Sequence, residues 1–210
     1  MPKLRSRLSA SALQLRDQCA RRFALQYQSG WRWPVAEKLS ATNQQALGAA
    51  FHRLVLRQRL GILLGELTGE LAELWRCFLA SPYASGNGTA EQALHFVLKG
   101  IPFVVRFDEL RRQGNSWIIL DWKIGNRSAD ELAASWQTRL YRYALAEAGG
   151  SLLNQGQPIP PEAIELIYWL VRPGRAVHLT YDTATFLTDR ELLSQVAQEA
   201  QILPDDLPYP

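Results

Sequence analysis

Two strand-like segments near the middle of the chain carry two carboxylates and one amine that could act together. Asp108 lies in the first segment, and Asp121 and Lys123 lie in the second. The pair Gly114-Asn115 between the segments is typical of a two-residue β-hairpin turn. Counting back from that turn places Asp108 directly opposite Asp121. Lys123 shares the face of Asp121 because side chains alternate along a strand.

The predicted pairing of Asp108 with Asp121 has a chemical consequence. Directly opposed residues have Cβ atoms roughly 4.5–5.5 Å apart, and two like charges that close destabilise a sheet. A cation between them, or a proton on one of them, removes the repulsion. The residues therefore predict a site for a hard divalent cation. The alternative is that both carboxylates are solvated charges on an exposed sheet face.

Composition and length fit a single domain of 210 residues with a hydrophobic core of ordinary size. No apolar run reaches membrane-spanning length, and the first residues lack the apolar stretch of a signal peptide. A cytoplasmic protein without membrane attachment is expected. Cys19 and Cys77 are the only cysteines and form no CxxC pair, which argues against a disulfide framework or a structural zinc site.

Basic residues are concentrated at the start of the chain. Up to Leu60 there are eleven Lys or Arg residues, and only Asp17 and Glu37 oppose them. Such a surface could follow a phosphate backbone. It could equally be a solvated, salt-bridged helical face, and the charge alone does not decide between the two.

Hydrophobic periodicity and turn residues predict helices and strands in an order typical of a mixed α/β fold. One mixed sheet with helices on both faces is expected, with a helical part over 1–80 and a sheet core over 90–201. The expected elements are helices over 9–28, 43–64 and 68–79, strands over 90–98, 103–110 and around Asp121, a helix over 128–148, a loop over 149–161, strands over 164–172 and 176–181, a helix over 183–201, and a Pro-rich tail over 202–210.

The motifs of this sequence resemble those of the PD-(D/E)XK nuclease superfamily. They are closest to its RecB-like branch, which includes the CRISPR adaptation exonucleases and the AddAB nuclease domains. A restriction-endonuclease-like fold is implied. The matching features are Phe107-Asp108, the segment ILDWK that ends at Lys123, Gln137 and Tyr141 four residues apart, LSAS ending at Ser11, CARRF starting at Cys19, GAAFH ending at His52, and Glu91 ahead of Asp108.

This resemblance implies a metal-dependent hydrolysis of DNA phosphodiester bonds. Asp108 and Asp121 would be ligands of Mg²⁺ or Mn²⁺, together with the backbone carbonyl of Trp122. Lys123 would orient the attacking water and stabilise the negative charge that develops on the phosphate. His52 is expected to be a further metal ligand.

Further roles follow from the same resemblance. Glu91 is a candidate additional metal ligand. Gln137 and Tyr141 are expected to support the catalytic lysine and to contact the nucleic acid. Arg21 and Arg22, in the basic first part of the chain, are also expected to bind nucleic acid.

The sequence also departs from the family. Many relatives hold an iron–sulfur cluster with one N-terminal cysteine and three near the C-terminus. Cys19 matches the first position, but the tail ILPDDLPYP contains no cysteine, so no cluster is expected. No helicase motif is present, and the protein is expected to act on DNA alone or with a helicase or CRISPR-type partner. A non-catalytic nucleic-acid-binding or scaffold module, or an enzyme of RNA or nucleotide metabolism, remains an alternative on the same fold.

Overall fold

The computed structural model describes residues 7–31 and 43–200. The expected Pro-rich tail, 202–210, lies outside these residues. The helices are α1 Ala10–Gln18, α2 Ala20–Tyr27, α3 Asn43–Arg59, α4 Gly69–Leu79, α5 Ala129–Ala133, α6 Trp136–Leu153 and α7 Thr183–Glu199, with a 3₁₀ turn at Pro161–Ala163. The strands are β1 Thr89–Leu98, β2 Ile101–Gln113, β3 Ser116–Lys123, β4 Ile164–Leu170 and β5 Arg175–Thr180.

The five strands form one mixed sheet in the order β1-β2-β3-β4-β5. Neighbouring strands are antiparallel except β3 and β4, which run parallel because α5 and α6 connect them. The predicted mixed α/β architecture is thereby confirmed. No helix in the described part of the chain is long and apolar enough to cross a membrane.

Helices cover both faces of the sheet, so that each face has its own hydrophobic core. Ile119 and Tyr168 belong to the core formed with α1, α6 and α7. Leu120 and Trp122 belong to the core formed with α3 and α4. Side chains of β3 therefore alternate between the two cores, as expected for a central strand buried on both faces.

The predicted helix over 9–28 is wrong, because the chain breaks into two helices at Cys19. This residue is extended, with φ −162° and ψ 99°, and its sulfur accepts the backbone N–H of Arg22 at 3.4 Å. Ser9 caps the preceding helix as expected, since its hydroxyl accepts the N–H of Ala12. Cys19 thus acts as the N-cap of α2 and not as an apolar position inside one long helix.

The predicted helix over 128–148 is also two helices. Ser128 and Glu131 form a capping box at the start of α5, and α5 ends at Ala133. Ser135 then caps α6 by accepting the N–H of Thr138. A second N-cap inside one apolar pattern is the reason for the break.

Helix α6 continues through Gly149 and Gly150, where the sequence suggested a loop. A Cβ atom on Gly149 would lie 2.8 Å from Ile159 Cδ1, and one on Gly150 would lie 2.6 Å from the carbonyl oxygen of Gln157. The returning chain packs directly on the helix backbone here. Glycine is needed for that approach and does not end the helix.

A buried ion-pair cluster fixes β2 to the helical layer formed by α3 and α4. Glu109 is fully buried, and its two carboxylate oxygens accept hydrogen bonds from Arg59 Nε at 2.9 Å and Arg111 Nε at 2.6 Å. Both guanidinium groups also donate to the carbonyl oxygen of Tyr83. Removing the carboxylate would leave Arg59, whose side chain is only 7% exposed, without its opposite charge.

Glu109→Gln is therefore expected to lower the free energy of unfolding by about 3–5 kcal/mol, the range for breaking one partner of a buried pair. Urea unfolding followed by circular dichroism measures this change. The matched control is Glu73→Gln, which alters an exposed carboxylate on α4 and is expected to change stability by less than about 0.5 kcal/mol. Equal stability of the two variants would contradict the structural role of Glu109.

Candidate active site

The hairpin of β2 and β3 has the predicted register, but its ladder ends one pair before the two acids. Paired residues run from Gln113 with Ser116 to Glu109 with Leu120. The next position in this register brings Asp108 opposite Asp121, where the strands are no longer paired. The site therefore lies where the hairpin opens.

The opening coincides with a change in the alternation of β2. Val105 and Phe107, which precede Asp108, face the hydrophobic core on the α6 side of the sheet. After Asp108, the next residue of β2 that faces this core is Leu110. The inward-facing set thus shifts from odd to even residue numbers between Phe107 and Leu110. On β1, Glu91 lies between the pairs that flank Asp108 and has a left-handed backbone conformation, with φ 52°. Such non-glycine conformations are costly and are often found at functional sites.

Asp108 accepts hydrogen bonds from both the backbone and a helix. Its Oδ2 accepts the N–H of Trp122 at 2.9 Å and lies 3.2 Å from Nδ1 of His52 on α3. Burial alone would raise the pKa of the Asp108 carboxyl, but the hydrogen bond and charge of His52 outweigh it and lower the pKa. Burial lowers the pKa of His52, yet the hydrogen bond and charge of Asp108 prevail and raise it. Each of the two groups therefore favours the charged form of the other.

The carboxylate of Asp121 is held by a residue of α6, on the face of the sheet opposite to α3. Its Oδ2 accepts the amide N–H of Gln137 at 2.6 Å, and its Oδ1 lies 2.6 Å from Nζ of Lys123. Lys123 also donates to the amide oxygen of Gln137 at 2.9 Å and lies over the ring of Tyr168. Burial, and then the charge of Asp108, raise the pKa of Asp121 to about 6, although Lys123 partly offsets them. The ionised carboxylate is thus held in a site that disfavours its charge.

Tyr141 positions this end of α6. Its hydroxyl donates to the carbonyl oxygen of Arg106 at 2.5 Å, and its ring packs edge-on against Phe107 with the ring centroids 5.1 Å apart. Burial raises the pKa of Tyr141 well above its ordinary value, so the phenol stays a neutral donor. Because Gln137 lies one helical turn earlier, this anchor directs its amide toward Asp121 and Lys123.

The donor set has the chemistry of a site for a hard cation. It combines two carboxylates, an imidazole and the backbone of Trp122, and oxygen-rich sets of this kind suit Mg²⁺ or Mn²⁺. The contact of Asp121 Oδ1 with Lys123 is an ion pair without the angles of a hydrogen bond, so this buried oxygen retains an open acceptor position. Within residues 7–31 and 43–200, no three His, Cys, Asp or Glu side chains converge on one point as a fully formed metal site.

Three expected site residues lie apart from this network. The carboxylate of Glu91 faces Arg106, with 3.6 Å between Oε2 and Nη1, although its backbone is in register with Asp108. Arg21 and Arg22 are on α2 and do not line the cavity beside the site. Their binding to metal or nucleic acid stays a prediction.

The structure also brings residues to the site that the sequence did not indicate. Arg106, Arg127 and Trp136 line a cavity next to Gln137, and Asp17 of α1 closes one side of it. Arg106 directly precedes the Phe107-Asp108 motif and Trp136 directly precedes Gln137, and these positions are the available sequence signals.

Comparisons with known proteins identify the family and the fold of the chain. The sequence profile of the PD-(D/E)XK nuclease superfamily matches residues 7–85 and 86–208. Among solved structures, a "Putative exonuclease" from Eubacterium rectale shares the fold, with a TM-score of 0.58 and 12% identity over 97% of this chain and 83% of that chain. The structure of SSO0001 matches 74% of this chain and 87% of that chain at 16% identity, with a TM-score of 0.34, too low to compare folds. No curated protein matches the chain.

The raised pKa of Asp121 predicts that its charge destabilises the metal-free fold. A carboxyl whose pKa is raised by folding destabilises when ionised, fully so above a pH of about 6 and not at all below its ordinary value of 3.8. Asp121→Asn is therefore expected to raise the free energy of unfolding by about 1–3 kcal/mol near pH 8 in EDTA. The gain should shrink as the pH falls through about 6.

Thermal or urea unfolding across this pH range measures the effect. Asp130→Asn is the control, because Asp130 is exposed in the first turn of α5, where a negative charge is favourable. That variant is expected to lose up to about 1 kcal/mol. A loss of stability in Asp121→Asn at high pH would contradict the assignment.

Proposed function

The chain belongs to the PD-(D/E)XK nuclease superfamily, and we propose that it is a divalent-metal-dependent nuclease of the RecB-like kind that hydrolyses DNA phosphodiester bonds. The observation that carries this proposal is the network around Gln137, whose amide joins Asp121 to Lys123 at the open end of the hairpin. Asp108 lies across the opening from them. Two acids and a lysine held in this way suit phosphoryl chemistry better than a structural role, because burying them is costly.

Asp108 and Asp121 would hold Mg²⁺ or Mn²⁺, with the carbonyl of Trp122 and the imidazole of His52 as further ligands. When bound, the cation supplies Lewis-acid stabilisation of the phosphate and lowers the pKa of a coordinated water. Trp122 has a second role in the protein itself, because its N–H fixes the Asp108 carboxylate.

Lys123 is the residue suited to stabilise the developing charge. An ammonium has three donors, and here Asp121 and Gln137 occupy two directions around it. The side chain is 23% exposed, so the ammonium can also reach a water or a phosphate oxygen. A fixed positive charge in a partly buried site stabilises a transition state without reorganisation at the moment of reaction.

Assignment to the RecB-like branch rests on motifs outside the hairpin. His52 is near Asp108, Gln137 contacts Asp121 and Lys123, and Tyr141 attaches the same helix to β2 through the carbonyl of Arg106. The protein would act alone or together with a helicase or CRISPR-type partner.

We also propose that the chain holds no iron–sulfur cluster, because two cysteines are too few for a four-cysteine site. Anaerobically purified protein is expected to contain no iron and to lack the visible absorbance of such a cluster. Stoichiometric iron and sulfide in the protein would overturn this assignment.

The activity test is cleavage of labelled single- and double-stranded DNA with Mg²⁺ or Mn²⁺. Wild-type protein is expected to cleave, and EDTA is expected to stop it. Lys123→Ala and Asp108→Asn should each lower the rate by a factor of about 100 or more, since each removes a group that acts on the reacting phosphate.

Lys99→Ala is the matched control, because Lys99 is exposed at the turn between β1 and β2 and should leave the rate unchanged. Equal cleavage by all variants would point to a contaminating nuclease. DNA binding without cleavage by the wild type would support the non-catalytic module instead.

A further inference from the structure

A cavity of about 480 Å³ opens beside the catalytic network, between α1, β2 and α6. We call it the α1–α6 cleft and define it by Arg106, Arg127, Trp136, Gln137 and Tyr141. Its connection to the site is direct, because Gln137 lines the cleft and also donates to Asp121. Whatever occupies the cleft therefore lies next to the reacting groups.

We propose that the α1–α6 cleft binds the unpaired nucleotides beside the scissile phosphate of single-stranded DNA. Trp136 stacks on a base, and Arg106 and Arg127 bind the phosphates that flank it. This inference rests on the proposed nuclease function and adds to it the form of the substrate and the residues that select it.

Trp136 has the features of a stacking platform. Its ring is partly buried against the core and partly open, and its indole N–H donates to the carboxylate of Asp17. This hydrogen bond joins α6 to α1 and fixes the ring orientation before any ligand binds. Stacking on a fixed aromatic ring tolerates any base, and each stacked base contributes about 1–3 kcal/mol to single-strand binding.

Arg106 and Arg127 supply positive charge, and their contacts with other residues of the protein are long. Arg106 is 69% exposed, and its ion pair with Glu91 is long, at 3.6 Å. An exposed pair of this kind contributes little and can be exchanged for a phosphate. Arg127 is exposed and makes a long bond, at 3.4 Å, to the carbonyl of Glu131.

Among the described residues, Asp17 is the one acidic side chain that lines the cleft. It accepts the Trp136 N–H and lies 3.3 Å from Arg16, which also pairs with Glu199. The starts of α1 and α6 also line the cleft, at Ser9 and Ser135, and helix N-termini favour negative ligands. The charge balance of the cleft therefore favours an anion.

The size of the cleft argues for an unpaired strand. Cavities of roughly 300–1,000 Å³ accommodate small ligands, so the cleft has room for an unpaired nucleotide. A base can stack on a protein side chain only when it has left its own helix. Single-stranded DNA meets both conditions without the cost of opening base pairs.

The experiment measures binding of fluorescein-labelled single-stranded and duplex DNA of one sequence by anisotropy, in EDTA so that no cleavage occurs. Trp136→Ala is expected to weaken single-strand binding by about tenfold or more. Trp136→Phe should retain most of the affinity, because it keeps the ring but not the N–H bond to Asp17. Trp31→Ala is the matched control, since Trp31 is 67% exposed and outside the cleft.

The arginines are tested by the salt dependence of the same binding. Arg106→Ala and Arg127→Ala should each reduce the slope of log affinity against log salt by about 0.7. Arg112→Ala, at the hairpin tip and outside the cleft, should leave the slope unchanged. Circular dichroism melting confirms that every variant is folded.

Equal single-strand affinity of Trp136→Ala and Trp31→Ala would overturn the inference, as would an equal loss for single strands and duplex. Wild-type cleavage together with either result would leave the nuclease function standing. If the protein shows the expected binding pattern but never cleaves DNA, the inference about the cleft stands and the proposed nuclease function is contradicted.

Discussion

The candidate site depends on two acids at opposed positions of one hairpin, of which Asp121 is buried and Asp108 is partly buried. Asp121 is only 1% exposed, and burial together with the charge of Asp108 opposes its ionisation. Each acid is therefore supported by separate elements. His52 from α3 approaches Asp108 from one side of the sheet, and Gln137 from α6 approaches Asp121 from the other. The site exists because two helical layers meet at one opening in the sheet.

That opening has a local cause on β2. The residue after Asp108 is Glu109, which is drawn into the α3 and α4 layer by its pairs with Arg59 and Arg111. Phe107, before it, packs against Tyr141 on the α6 side. Because Phe107 and Glu109 face opposite sides of the sheet, Asp108 lies between them. In this position its carboxylate accepts the Trp122 N–H. The buried ion cluster around Glu109 thus contributes to the position of Asp108, the proposed metal ligand.

The sequence predicts the mixed architecture and the hairpin register, but not the breaks within helices or the directions of individual side chains. Gly114-Asn115 was enough to set the hairpin register, because turn chemistry and side-chain alternation are local rules. The break at Ser135 was missed, since a capping serine inside an apolar pattern resembles any exposed helical residue. The backbone of Glu91, and hence the direction of its carboxylate, depends on packing of β1 against β2, which no sequence pattern encodes.

The cap at Ser135 also links the proposed nucleotide-binding cleft to the proposed catalytic residues. It starts α6 at Trp136, so the residue that faces the cleft and the residue that supports Lys123 are consecutive in the first turn of one helix. Any movement of this turn displaces both. A ligand seated against Trp136 would therefore hold Gln137 in place, and the amide would in turn hold the lysine. In such an arrangement part of the binding energy is used to orient the reacting groups, which is how remote contacts raise a catalytic rate.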